Sequence, residues 1–143
     1  KHLTADLPKA FIHSDIFASN VIINDKNTKA TIMDFEEASY NYRLFDIAIL
    51  TISLCSKHGS IDFSRVSLIL KGYTSVTKLT DEEKQALQPL IVYAAAGVAL
   101  WRHKNFNYIA PDNNLKDSYL NMKNLADNVR DMPSTYFKLL HEF

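Results

Sequence analysis

The order His13-x-Asp15-x4-Asn20, with Asp34 closing a second apolar run, restricts this 143-residue chain more than any other stretch. Phe11-Ile12 before it and Val21-Ile22-Ile23 after it are β-rich runs. Asn24-Asp25-Lys26-Asn27 is a turn cluster, and Lys29 to Met33 alternates polar with apolar residues. The pattern predicts a hairpin: a strand over Asn20–Ile23, a turn over Asn24–Thr28 and a strand over Lys29–Met33. Closing that hairpin makes Asn20 and Asp34 neighbours at its open end. Asp15 then lies close by on the preceding loop.

Taken singly, these residues are ordinary. A histidine two residues before an aspartate is usually a loop or capping residue, and Asn and Asp are common beside turns. Taken in this order, each next to an apolar strand, they define a chemistry. Magnesium prefers a few hard oxygen ligands and completes its shell with water and phosphate. Asn20 and Asp34 offer such oxygens, and Asp15 is placed to accept a hydroxyl proton. In kinases of the protein-kinase fold, H-R-D-x-x-x-x-N and D-F-G supply those three roles. Ser14 stands where that pattern has Arg, and Glu36 where it has Gly, so the pattern departs from that of protein kinases.

The length fits one domain able to bury a core. Sixteen basic residues balance sixteen acidic ones, which gives no charge argument for nucleic acid. Cys55 is the single cysteine and lies in an apolar run, so it reads as a buried thiol in a reducing compartment. No apolar run is long enough to span a bilayer and no signal peptide opens the chain, so a cytoplasmic location is expected. The five histidines are scattered without zinc-type spacing. A hydrolase built on His13 and Asp15 lacks a second histidine beside them.

Lys1 to Leu7 reads as the tail of a helix, ended by Pro8, which leads into the strand at Phe11. Between Asp34 and Asp46 the chain is too short for a long activation segment. Ile47 to Cys55 is apolar almost all round and predicts a helix buried on every side. Asp46 reads either as its cap or as a brace for the His13–Asp15 loop. Lys57-His58-Gly59-Ser60 ends that helix. Asp62 caps a second, with Phe63, Val66, Leu70 and Tyr73 at helical spacing. Thr80 and Glu83 form a capping box opening a long helix to about Asn105, with Pro89 as a break or kink and Ala94–Gly97 as a smooth packing face. Trp101 reads as core and Arg102 as solvated or salt-bridged, with substrate contact as the other reading of each. Ala110–Asn114 is a loop. Tyr119, Met122, Leu125, Ala126 and Val129 line an amphipathic helix, and Tyr136–Leu140 a short closing one. The expected class is therefore α+β and mostly helical. The chain has three glycines, Gly59, Gly72 and Gly97, and none belongs to a phosphate-cradling loop. With the kinase-type motif, that predicts a C-terminal lobe whose nucleotide-binding lobe is absent from these residues.

Phe11-Ile12-His13-Ser14-Asp15, Asn20-Val21-Ile22-Ile23, Ile32-Met33-Asp34-Phe35 and Phe45-Asp46-Ile47-Ala48 together resemble the aminoglycoside phosphotransferase and choline kinase superfamily. These are small-molecule kinases with the protein-kinase fold, and the resemblance is strongest to the type II homoserine kinase branch. It implies ATP and magnesium as cofactors, Asp15 as base, Asn20 and Asp34 as metal ligands, and His13 and Asp46 as structural braces. Within it, the expected activity is phosphate transfer from ATP to a hydroxyl of a homoserine-like amino acid. Choline, ethanolamine or an aminoglycoside is the alternative acceptor, and a non-catalytic pseudokinase or binding module the alternative class. For an amino acid, Arg43 or Arg102 would hold the carboxylate and Glu36 or Glu37 the ammonium. For choline, Tyr40, Tyr42 and Trp101 would form an aromatic cage.

Overall fold

The computed structural model describes residues 7–26, 28–133 and 137. Strand β1 (Lys9–Ile12) leads through a turn of 3₁₀ helix at Ala18–Asn20 to β2 (Val21–Ile23), β3 (Ala30–Ile32) and β4 (Ser39–Tyr42). Helix α1 (Leu44–Leu54) follows, then the short strands β5 (Ser56–Lys57) and β6 (Ser60–Ile61), α2 (Phe63–Thr74) and α3 (Asp81–Lys104). A π-type stretch, Asn105–Ile109, extends α3 before α4 (Tyr119–Asp131). The protein is α+β and mostly helical, as expected. Its strands form antiparallel pairs: β1 with β4, β2 with β3 and β5 with β6.

Helix α1 is the centre. Leu44, Ile47, Ala48, Ile49 and Ile52 are all buried, and Thr51 satisfies its hydroxyl by donating to the Ile47 carbonyl at 2.8 Å. Val66 and Leu70 of α2, Leu87, Leu90, Ile91 and Ala94 of α3, and Leu125 and Val129 of α4 complete the core around it. Each fully buried side chain of that size contributes about 1.5–3 kcal/mol. Cys55 lies in the same core as a free thiol, in keeping with its apolar run.

The caps follow the sequence. The Asp62 carboxylate accepts the N–H groups of Ser64 and Arg65 at the start of α2. Thr80 and Glu83 form the reciprocal capping box of α3. The amphipathic helix expected from Tyr119 is α4, with Leu125, Ala126 and Val129 inward.

Four expectations are corrected. Helix α1 starts at Leu44, so Asp46 lies inside its first turn and is not its cap. Helix α3 runs without a break through Pro89, where Leu87, Leu90 and Ile91 on both sides are buried. Apolar anchoring on each flank outweighs the one N–H that proline removes. Of the Ala94–Gly97 face only Ala94 and Ala95 reach the core, and a side chain at Gly97 would meet open space. The expected helix stop at Lys57–Ser60 is a β-hairpin, with His58 and Gly59 at φ 52° and 76°. Two successive left-handed residues suit a tight two-residue turn. The helix expected at residues 1–7 lies outside the described residues except Leu7, and the closing helix at 136–140 except Phe137.

Candidate active site

The β2–β3 hairpin closes in the register Val21↔Ile32, and Met33 extends it by donating its N–H to the Asn20 carbonyl at 2.9 Å. Asn24 holds the turn, its side-chain oxygen accepting the N–H groups of Thr28 and Lys29 at 2.8 and 3.0 Å. Asn20 is thus paired with Met33, and Asp34 is the next residue. Asp34 has φ 63°, a left-handed conformation that aspartate tolerates better than most residues.

The loop carrying Asp15 is tied to α1 at two points. Asp46 accepts the N–H of His13 at 2.9 Å and that of Ser14 at 2.8 Å, one on each carboxylate oxygen. Ser53 accepts the Ala18 N–H on its hydroxyl at 2.9 Å. Asp46 and Ser53 are two turns apart on one face of α1, so the loop lies along that face. Ser14 has φ 70°, and its hydroxyl meets that of Ser39 at 2.9 Å. Such a conformation costs about 1–2 kcal/mol outside glycine. Two charge-assisted hydrogen bonds to Asp46 offset it.

Asn20 fixes Asp15 itself. Its buried amide nitrogen donates to the Asp15 carbonyl at 2.9 Å and to Asp15 Oδ2 at 3.0 Å. The amide is thereby oriented with Oδ1 pointing elsewhere, where the Ser19 hydroxyl reaches it at 3.3 Å. His13 is buried and joins the two halves of the group. Its Nδ1 accepts the Asp15 N–H at 3.2 Å, so the ring proton sits on Nε2, which donates to the Met33 carbonyl at 2.8 Å. Phe35 covers the ring at 4.6 Å between centroids. His13, Asp15, Asn20, Met33 and Asp46 thus form one hydrogen-bonded group, with Asp34 at its edge.

The other candidates stand apart from it. Glu36 and Glu37 occupy the exposed turn closed by Ala38 N–H on the Phe35 carbonyl at 3.1 Å. Tyr40 pairs across the β1–β4 ribbon with Phe11, rings 5.6 Å apart, and both are exposed. Arg43, expected to reach a substrate carboxylate, instead forks onto Glu83 with Nε–Oε1 2.8 Å and Nη2–Oε2 2.7 Å. Glu83 is 0% exposed, and its hydrogen bond holds the Arg43 guanidinium more basic than usual. A buried carboxylate without such a partner would be strongly unfavourable, which is why this arginine is engaged. Trp101, read as core, is 60% exposed and rests edge-on against Phe106. Two turns beyond Ala94 it lies on the same side of α3, and it is exposed there. Arg102 is half-buried and makes no salt bridge among the described residues. It donates to the Ser118 carbonyl at 3.3 Å, and burial lowers its pKa. No ring contact among the described residues joins Tyr40, Tyr42 and Trp101.

Sequence reading missed Ser14, Ser39 and Ser53 as supports of the loop, and the strand β4 that positions Ser39. Lone serines carry no pattern. The Glu83 pairing had no local signal, since the capping box marks only the bond from the Thr80 N–H to that carboxylate.

Among the described residues no group of three or more His, Cys, Asp or Glu converges on a metal position. A magnesium ion shared with phosphates needs fewer protein oxygens than that. The donor set fits: one carboxamide oxygen facing away from Asp15 and one carboxylate on the adjoining strand end. No helix among the described residues is long and apolar enough to cross a membrane.

Residues 1–66, which carry the hairpin and the braced aspartate loop, match the phosphotransferase enzyme family (APH). The resemblance to the aminoglycoside phosphotransferase superfamily, on its homoserine kinase branch, therefore holds. The chain is 37% identical over 97 residues to the homoserine kinase of Rhizobium meliloti (strain 1021), covering 67% of this chain and 29% of that protein. It is 38% identical over 98 residues to that of Gluconacetobacter diazotrophicus, covering 68% and 30%. With that of Zymomonas mobilis subsp. mobilis the identity is 33% over 110 residues, covering 75% and 33%. The matched region spans about three tenths of the length of these relatives.

Proposed function

We propose that this chain is the transfer-site lobe of an ATP-dependent kinase that phosphorylates the hydroxyl of a homoserine-like amino acid. The observation that carries the reading is the double hydrogen bond from the Asn20 amide to Asp15, which orients both residues at once. With Oδ2 held by Asn20, the other Asp15 oxygen is left to orient the acceptor hydroxyl and take its proton. Asn20 Oδ1 and the Asp34 carboxylate would hold magnesium, which when bound neutralises charge on the β- and γ-phosphates. His13 and Asp46 keep the loop in place without touching substrate.

The acceptor class rests on the relatives named homoserine kinase. The choline reading has no support from the aromatic residues, since Tyr40 is engaged with Phe11 and Trp101 with Phe106. Arg43 is withdrawn as the carboxylate partner because Glu83 holds it. Glu36 and Glu37 remain open to solvent as partners for the ammonium group. The exposed apolar side chains of the hairpin, Ile22, Ile23, Ile32 and Met33 with Phe35 beyond, fit a face covered by nucleotide and by a second lobe. In this reading that lobe supplies the phosphate-covering loop and lysine, and the enzyme works in the cytoplasm.

The test is phosphate transfer by the whole protein with ATP and magnesium, using homoserine, choline and an aminoglycoside as acceptors. Saturable transfer to homoserine is expected, with Asp15→Asn inactive. Transfer to choline alone would reassign the acceptor, and full activity of Asp15→Asn would overturn the assignment of the site.

A further inference from the structure

The β5–β6 hairpin, the end of α3 and the start of α4 line a half-open cleft of about 210 Å³. Lys57, His58 and Arg102 line it together with Asn121, and no acidic side chain among the described residues does. Arg102 is half-buried there and among the described residues makes one hydrogen bond, the long one to the Ser118 carbonyl. No carboxylate lies within ion-pair distance of it among the described residues. A desolvated guanidinium is normally matched by an acid, and its planar fork is shaped for a carboxylate or phosphate. The lowered pKa of Arg102 is caused by burial, with no opposing carboxylate. The walls are fixed before any ligand arrives. His58 and Gly59 set the tight turn, and Asn128 Nδ2 donates to the Gly59 carbonyl at 2.7 Å, locking the hairpin onto α4.

We propose that this cleft binds a small oxyanion, a phosphate or carboxylate group carried by a small molecule, gripped by Arg102 with Lys57 and His58 at its rim. It shares no lining residue with the group around Asp15, Asn20 and Asp34, and it stands whether or not that group transfers phosphate.

Calorimetric titration of the chain in low-salt buffer without nucleotide tests it, with inorganic phosphate and glutarate as separate probes. Saturable binding of at least one probe is expected, with Kd of about 1 mM or tighter. Arg102→Ala should weaken it at least about tenfold, as loss of a charge-assisted fork does. Arg102→Lys, which keeps the charge and loses the fork, should fall between. Lys57→Ala, on the exposed hairpin, should weaken it about threefold and carries the test if the Arg102 variants fail to fold. Asp15→Asn should leave it unchanged. Tighter binding of phosphate or of glutarate identifies which group the site selects. No saturable binding of either probe, or binding unaffected by Arg102 and Lys57 changes, would overturn the proposal, as would equal weakening by Asp15→Asn. Failure of the transfer reading would show instead as absent phosphorylation with anion binding intact.

Discussion

Asp46 accepts the backbone N–H of His13 at 2.9 Å across 33 residues of sequence, and its second oxygen takes Ser14. The central helix therefore grips the Asp15 loop by the loop's own backbone N–H groups, through the Asp46 carboxylate. In Asp46→Asn one oxygen becomes an NH₂ facing an N–H donor. The expected loss is about 2–3 kcal/mol, from one charge-assisted bond removed and one donor left unpaired. Urea unfolding of the chain measures it, and an unchanged midpoint would show that the loop is held by other contacts.

Asp15→Asn and Asp34→Asn should fail differently in the whole protein. The first should lower kcat by about 10² to 10⁴, the range of general-base contributions, and leave nucleotide affinity alone. The second should weaken magnesium–nucleotide binding. Asn20→Ala should do both, because its nitrogen orients Asp15 while its oxygen is left for the ion. Nucleotide titrations beside steady-state rates separate these outcomes. Equal loss of nucleotide affinity in the two aspartate variants would end this division of roles.

Glu83→Ala should destabilise the chain by about 3–5 kcal/mol, the cost of breaking a buried ion pair from one side. Arg43→Ala leaves Glu83 charged and buried, and should cost a comparable amount. In the whole protein neither change should move KM for the acceptor once the folded fraction is accounted for. A large rise in KM with full stability would return Arg43 to the substrate.

Burial pushes the Cys55 thiol up to about 11, from an ordinary value of 9.0. Below pH 9 both folded and unfolded chains keep the proton, and its contribution to stability is fully present. Between about pH 9 and 11 the unfolded chain releases it while the folded chain does not. Stability therefore falls as pH rises, by up to about 3 kcal/mol. Unfolding of the chain and of Cys55→Ala across pH 8 to 11 should show the extra decline only where the thiol is present. Native Cys55 should also resist alkylation until the protein unfolds.

Much of this architecture was legible in local pattern. The hairpin between Asn20 and Asp34, the caps at Asp62 and Thr80, the buried run of α1 and the amphipathic face of α4 each depend on residues within a few positions of one another. Alternation, capping chemistry and helical spacing are short-range signals, so a single chain displays them. The ordered set His13, Asp15, Asn20 and Asp34 was visible for the same reason. Its members flank one hairpin, and closing that hairpin gathers them.

What lay beyond the sequence depended on partners far along the chain. Whether Asp46 caps a helix or braces a loop was decided by β4, which delivers the chain into α1 two residues before it and places its carboxylate under His13. Arg43 was open to a substrate until Glu83, 40 residues away, proved to be buried beside it. Trp101 read as core, but only helix packing determines how far along α3 the inward side stays covered, and two turns past Ala94 it is open. Arg102, Lys57 and His58 meet because a hairpin and two helix ends converge. Local sequence sets the conformation of each element. Which side chains are desolvated together, and so which charges must find partners, follows from how those elements pack.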